Sequence, residues 1–221
     1  VAHVLAVGSG KGGVGKSTVA ANLAIALAQT GATVGLLDGD IYGPNLPRMM
    51  GVNRQPQHRD GKIVPLEAHG VRFMSMGLLV DAGEAVVWRG PMLHGAIKSF
   101  LHDVDWGGCD YLLVDLPPGT GDVQLSLIQQ TVVTGAIVVT TPSMVAIEDA
   151  VKAIAMFDKL QVPVLGVIEN MSYFHCPNCH ERHEIFASGT GQERALSLGL
   201  PFLGAIPLHP EVRLGGDTGR P

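Results

Sequence analysis

The sequence predicts an α/β fold, a parallel β-sheet flanked by helices on both faces. Three observations carry that expectation. Short, β-rich apolar runs alternate with longer amphipathic stretches along nearly the whole chain, as in sheets built from βαβ units. A glycine-rich string, GKGGVGKST at 10–18, follows the first apolar run and opens a helical pattern. Two further runs end in aspartates, and carboxylates at the C-terminal ends of parallel strands face the crevice where ligands bind.

The elements follow in order. Residues 4–7, 33–37, 111–114, 136–140 and 164–168 are the apolar runs and read as buried strands. A helix is expected over 16–29, and a second over 143–160, where Ile147, Ala150, Val151, Ile154 and Phe157 keep a helical period. Residues 43–79 interrupt the rhythm with proline, glycine and two strand-like pieces, 63–66 and 71–74, which suggests an excursion carrying a hairpin before a helix near 91–104. Residues 173–185 are polar and dense in His and Cys, too short for a domain of their own.

The 221 residues, 46% of them apolar, suffice for one domain spanning 1–221. The chain starts at Val1 and ends at Pro221, and truncation at both ends is expected. A net charge of −5 with scattered Lys and Arg argues against nucleic acid as a partner. No run reaches the roughly 18 to 20 apolar residues of a membrane span, and no signal peptide is visible. Three cysteines, two of them three positions apart, suit a reducing compartment. A cytoplasmic protein is expected, with the mitochondrial matrix as the alternative.

The string at 10–18 fits G-x-x-x-x-G-K-[ST], a P-loop. Gly10, Gly12, Gly13 and Gly15 let the backbone, with Lys11 and Val14, wrap phosphates, and the following helix adds its positive end. Lys16 is expected to bridge the β- and γ-phosphates and Ser17 to hold Mg²⁺ by its hydroxyl, with Thr18 closing the loop. Lys11 is a second lysine that an ordinary P-loop does not need; a solvated loop charge is its plain reading.

This arrangement resembles the deviant Walker A, SIMIBI-like P-loop ATPases, which include the nitrogenase iron protein, the MinD and ParA positioning ATPases and the Mrp/ApbC iron–sulfur carriers. The resemblance implies that Lys11 reaches across a two-fold axis to the partner's nucleotide, as an arginine finger does. Asp115 looks like the Walker B residue that holds Mg²⁺ through water. By the same resemblance, Asp40 orients the attacking water and Asp38 lies nearer the metal. Asp122 follows the PPGTG turn before a helix and reads as an N-cap or as a second-switch residue. Asn170 ends the loop after the run at 164–168. Its carboxamide matches the edge of adenine, or it is a structural turn residue. The family places an asparagine there, with backbone near Pro207 lining the ring. No NKxD-like string appears, so ATP is expected over GTP.

Cys176 and Cys179 form C-P-N-C in the polar segment. A cubane cluster usually takes four thiolates and structural zinc four ligands, so two cysteines are half a site. Within the chain the further candidates are His175, His180 and His183, while Cys109 reads as a buried hydrophobe. Intrachain zinc, a redox pair and sharing across a dimer axis are the alternatives, and sharing ranks first. Met49, Met50, Met74 and Met76 read as packing residues, and His94, His102 and His209 as structural. Trp88 and Arg89 suggest no chemistry beyond packing and surface charge.

The strings GSGKGGVGKST, DGDIYGPNLPRMM, VVWRGPM, VDLPPGTGDVQL, ENMSYFHCPNC and DTGRP together are similar to the Mrp/ApbC group. That resemblance implies a homodimer that bridges a [4Fe–4S] cluster on paired CxxC motifs, uses ATP and Mg²⁺, and delivers the cluster to apo iron–sulfur proteins. Hydrolysis is expected to be slow and coupled to loading or transfer. Gly39 stands where alanine is common and Asn178 fills a variable slot. By the same resemblance, an N-terminal extension or small domain and the final helix of many members are expected to lie outside these residues. The alternatives are a MinD/ParA positioning ATPase and a P-loop ATPase with structural zinc at the CxxC.

Overall fold

The computed structural model describes residues 1–40, 43–78, 90–186 and 189–221, without the side chains of 90–94 and 122. In chain order the elements are β1 (His3–Gly8), α1 (Lys16–Gln29), β2 (Val34–Asp38), α2 (Leu46–Met49), β3 (Gln57–Arg59), β4 (Lys62–Val64), β5 (Leu66–Ala68) and β6 (Val71–Ser75). After a 3-10 turn come α3 (Gly90–His102), β7 (Tyr111–Asp115), α4 (Asp122–Gln129), β8 (Gly135–Thr140), α5 (Met144–Lys159) and β9 (Val164–Glu169). The chain closes with β10 (Phe174–His175), β11 (Arg182–His183), α6 (Thr190–Ser197), β12 (Phe202–Ala205) and α7 (Pro210–Thr218).

Eight strands make one sheet in the order β12-β9-β8-β1-β7-β2-β6-β5. Every neighbouring pair is parallel except β5 with β6. The predicted parallel α/β fold is therefore present. The apolar runs alternate between two cores because successive side chains point to opposite faces. Ala6, Leu37, Leu112, Val114 and Val138 pack with Ile97, Phe100, Leu127 and Phe157 beneath α3, α4 and α5. Val7, Leu36, Leu113 and Val139 pack with Val19, Ala20, Ala21, Ala24 and Leu46 beneath α1 and α2. The small alanine face of α1 lets that helix press on the strands that carry the site.

The hairpin expected within 43–79 is present twice, as β3–β4 and as β5–β6, the latter joined by His69 and Gly70. The strand at 71–74 also joins the main sheet as β6, in register with β2 from Val34↔Val71 to Asp38↔Ser75. Its apolar residues Val71, Phe73 and Met74 are buried, and that burial draws it into the sheet. The piece at 63–66 is split at Pro65, which lacks a donor for a continuous ladder: β4 pairs with β3 as a separate hairpin and β5 with β6. Trp88, Arg89 and most of VVWRGPM lie outside the described residues, as does the side chain of His94. Among the described residues no helix is long and apolar enough to cross a membrane.

Candidate functional site

The loop from β1 to α1 sits at the C-terminal edge of the sheet, where β1 lies between β7 and β8. Gly15 caps α1 in the left-handed region at φ 80°, and the first helical N–H groups have no partner within their own helix. Together with the helix dipole they form an anion seat. The loop glycines divide by task. A Cβ on Gly13, at φ 82°, would meet nothing within 4 Å, and Gly12 is open apart from Pro118. A Cβ on Gly10 would run into the backbone of Asp149 in α5, and one on Gly15 into the Asn170 carboxamide. Gly12 and Gly13 thus face the cleft, whereas Gly10 and Gly15 permit close packing.

A cleft of 530 Å³ opens over this loop. Lys11, Gly12, Gly13, Gly15, Lys16, Ser17, Thr18, Asp40, Asn170 and Pro207 line it, so the fold brings most of the sequence candidates together. Gly10 and Val14 belong to the same loop without lining it. Lys11 is half-buried, and its ammonium has no carboxylate partner among the described residues.

Beneath the loop, Lys16 and Asp115 form a buried ion pair, Nζ to Oδ1 at 2.5 Å. Asp115 and Asp38 are register partners on β7 and β2, so two carboxylates stand side by side on neighbouring strand ends. Burial pushes the Asp38 carboxyl up to about 7, and the nearby Asp115 adds to the rise, although Ser75 Oγ donates to its Oδ2 at 2.9 Å. Burial raises Asp115 as well, opposed by Lys16. Gly39 donates its N–H to the Asp115 carbonyl at 2.8 Å, and a Cβ there would approach that oxygen to 2.9 Å.

One ammonium serves two buried carboxyl groups there, and Asp115 Oδ2 has no hydrogen-bond partner among the described residues. An orphaned buried oxygen beside the Ser17 hydroxyl suits a hard divalent cation such as Mg²⁺. Asp40 reaches the cleft rim, where its Oδ1 accepts the Gly43 N–H at 3.3 Å. Asp122 is the first residue of α4, and its N-cap is Gly121, so the N-cap expectation falls one residue short. The Asp122 side chain lies outside the described residues.

Asn170 follows β9 and donates Nδ2 to the Val14 carbonyl at 2.8 Å. The cleft is also lined by Asn45, Arg48, Leu208, Val212, Arg213 and Asp217, which the sequence did not single out, and by Met49 and His209, which it suggested only as packing and structural residues. They come from α2 and α7 and from the residues that lead into them, and the two helices pack on each other. The proline at the start of each helix was the available signal. His209, read as structural, caps α7 by accepting the Glu211 N–H and also lines the cleft.

Cys176 and Cys179 sit at the tip of the β10–β11 hairpin, half-buried and exposed respectively. Amide N–H groups of Cys179 and Asn178 donate to the Cys176 sulfur and hold that thiol below its usual range. Cys109 lies fully buried and donates its thiol to the Trp106 carbonyl at 2.9 Å. Cys179, Glu181 and His183 place ligand atoms within 4.8 Å of one another.

A family profile described as ParA, NUBPL iron-transfer P-loop NTPase, matches residues 1–221. The chain is 59% identical, over its whole length, to the iron-sulfur cluster carrier protein of Deinococcus radiodurans, of which it spans 63%. It is 50% identical to an Arabidopsis thaliana iron-sulfur protein required for NADH dehydrogenase, mitochondrial, spanning 71% of that protein. Among solved structures, a nucleotide-binding protein from Archaeoglobus fulgidus in complex with ADP, with cobalt found, superposes with TM-score 0.87 at 39% identity, over 99% of this chain and 87% of that one. The septum site-determining protein MinD of Pyrococcus horikoshii, complexed with Mg-ADP, gives 0.73 at 26% identity, over 99% and 86%. Matched from end to end, the chain belongs to the ParA family of NUBPL-type iron-transfer P-loop NTPases.

Proposed function

We propose that this chain hydrolyses ATP slowly and carries a [4Fe–4S] cluster that two copies hold between them and pass to apo iron–sulfur proteins. The observation that carries this reading is the placement of the three cysteines. Cys176 and Cys179 are presented at an exposed hairpin tip, and Cys109 is sealed in the core. One chain therefore offers two thiolates where a cubane usually takes four, and a second copy supplies the rest. The carrier names of the relatives agree with this cargo.

At the other site the chain's own groups suit phosphoryl transfer. Lys16, held by Asp115, meets the β- and γ-phosphates, and Lys11, without a carboxylate partner among the described residues, clamps the nucleotide of the partner. Ser17 and Asp115 are the residues that would hold Mg²⁺, which would offset charge on the phosphate oxygens. Asp40 at the rim orients the attacking water, and Asn170 with the Pro207 backbone receives the adenine.

The test is anaerobic reconstitution with iron and sulfide, followed by mass measurement in solution. A brown dimer with about four irons per two chains is expected, and a Cys176→Ala variant should lose the cluster. Full cluster content in that variant overturns the assignment.

A further inference from the structure

We propose that each single chain also carries a mononuclear site for a divalent transition metal, formed by Cys176, Cys179, Glu181 and His183. The hairpin builds the site from its backbone outward. Pairing of Phe174 with His183 and of His175 with Arg182 fixes the two arms. Between them the chain turns tightly: His180, left-handed at φ 61°, donates its N–H to the Cys176 carbonyl at 2.8 Å, and Cys176 donates its own to Glu181 at 3.0 Å. The turn aims the amides of Asn178 and Cys179 at the Cys176 sulfur and brings the Cys179 side chain into hydrogen-bonding contact with it.

Across the tip, the Cys179 sulfur, a Glu181 oxygen and a His183 nitrogen fall within 4.8 Å of one another. Ligand atoms around tetrahedral zinc stand about 3.3 to 3.8 Å apart, given metal–ligand bonds of roughly 2.0 to 2.3 Å. Rotation of the exposed Cys179, Glu181 and His183 side chains covers the remaining ångström, and the half-buried Cys176, outside that trio, joins as the fourth donor by turning its thiol from beside Cys179 toward the ion. Two sulfurs, one imidazole nitrogen and one carboxylate oxygen make a donor set for Zn²⁺, Co²⁺ or Fe²⁺ rather than for Mg²⁺ or Ca²⁺. His175 does not compete for the place, because its ring stands edge-on to Tyr173 with centroids 5.2 Å apart, and Arg182 covers the Tyr173 ring.

A site closed within one chain needs no second copy. Binding displaces the two thiol protons into solvent, and no electron changes hands. The same thiolates serve the bridging cluster, so ion and cluster exclude each other; that exclusion rests on the cluster-carrier reading, whereas the mononuclear site does not.

The experiment is an anaerobic Co²⁺ titration of the cluster-free full chain, read by thiolate-to-metal absorption and by mass, with cluster reconstitution run in parallel. One ion per chain in the monomer is expected. His183→Ala should weaken Co²⁺ binding at least as much as losing an outer-shell partner does, about 10- to 100-fold, and leave cluster content per dimer unchanged. Cys176→Ser should abolish both. Equal Co²⁺ affinity in His183→Ala and the parent chain, or one ion per two chains, overturns the mononuclear site. Normal Co²⁺ binding by a chain that takes up no cluster overturns the carrier reading and leaves this site standing.

Discussion

Asn170 and Val14 are 156 residues apart, yet the Asn170 carboxamide donates to the Val14 carbonyl at 2.8 Å and ties the loop after β9 to the phosphate loop. Asn170→Ala leaves that buried carbonyl without its donor, a loss of about 1–3 kcal/mol. The melting temperature should fall accordingly. If the same carboxamide also reads the base, the preference for ATP over GTP shrinks as well. Thermal unfolding and nucleotide titration separate the two effects, and an unchanged melting temperature contradicts the first.

The loop glycines should give opposite signatures. Gly10→Ala drives a methyl into the Asp149 backbone and should lower stability before it touches ATP. Gly13→Ala has open space around it and costs only the left-handed strain at φ 82°, about 1–2 kcal/mol. Its methyl projects into the cleft, so ATP affinity should collapse while the fold survives. Melting curves paired with ATP dissociation constants decide, and identical behaviour of the two variants refutes the division of tasks.

Much of this was legible in the sequence, for physical reasons. Strands buried on both faces are written as continuous apolar runs, and a phosphate loop needs glycine and lysine at fixed spacing. The hairpin within 43–79 was legible but its place was not: Val71, Phe73 and Met74 are apolar enough for the main sheet, and a short run does not say which strand it joins. The cleft wall around Arg48 and Arg213 was missed because these residues arrive from helices far apart in sequence, brought together only by packing of α2 on α7. Glu181 went unnoticed beside the cysteines because an acidic residue in a polar segment carries no signal until the hairpin turns it toward Cys179.

Asp38 makes stability depend on pH. Its carboxyl holds a proton to about 7 in the folded chain against 3.8 unfolded, so the folded state binds more protons between those values. Stability from this group is full below the unfolded value and is lost as pH rises through about 7. The difference of about three units corresponds to something on the order of 4 kcal/mol. Without nucleotide or Mg²⁺, the melting temperature of Asp38→Asn should therefore gain on the parent as pH is raised from about 5 to about 8. A constant gap across that range removes the explanation.

Lys11 and Lys16 should separate in kinetics. Lys16→Ala strips the buried carboxylates Asp38 and Asp115 of their nearest cation and removes a phosphate contact, so ATP binding and turnover both fall. Lys11→Ala leaves that pair intact. If Lys11 acts on the partner's nucleotide, turnover should drop by about 10³-fold or more, the scale of a trans-acting arginine finger, with little change in ATP affinity of the monomer. Equal losses in binding and turnover would place Lys11 on its own chain's phosphates.

Glu169 joins the two ends of the molecule that matter, and the prediction for it follows from how it is held. The residue is fully buried and forms no ion pair among the described residues. One carboxylate oxygen accepts the Ser172 hydroxyl at 2.6 Å and the Gly189 N–H at 3.4 Å, and the other accepts the Gly191 N–H at 2.6 Å. Gly189 and Gly191 open α6, so the charge sits at a helix N-terminus, where the dipole favours it. Ser172 begins the arm that leads from Asn170 to the cysteine hairpin. A single buried carboxylate therefore fastens α6 to the segment between the nucleotide cleft and the thiols. Glu169→Gln preserves the shape but turns an NH₂ toward a donor, and hydrogen bonds to a charged group are each worth about 1.5–3 kcal/mol. Amide hydrogen exchange should accelerate in the first turn of α6 and across the β10–β11 pair, while α1 keeps its protection. Exchange that rises uniformly over the chain, or not at all, would show that Glu169 does not hold this junction.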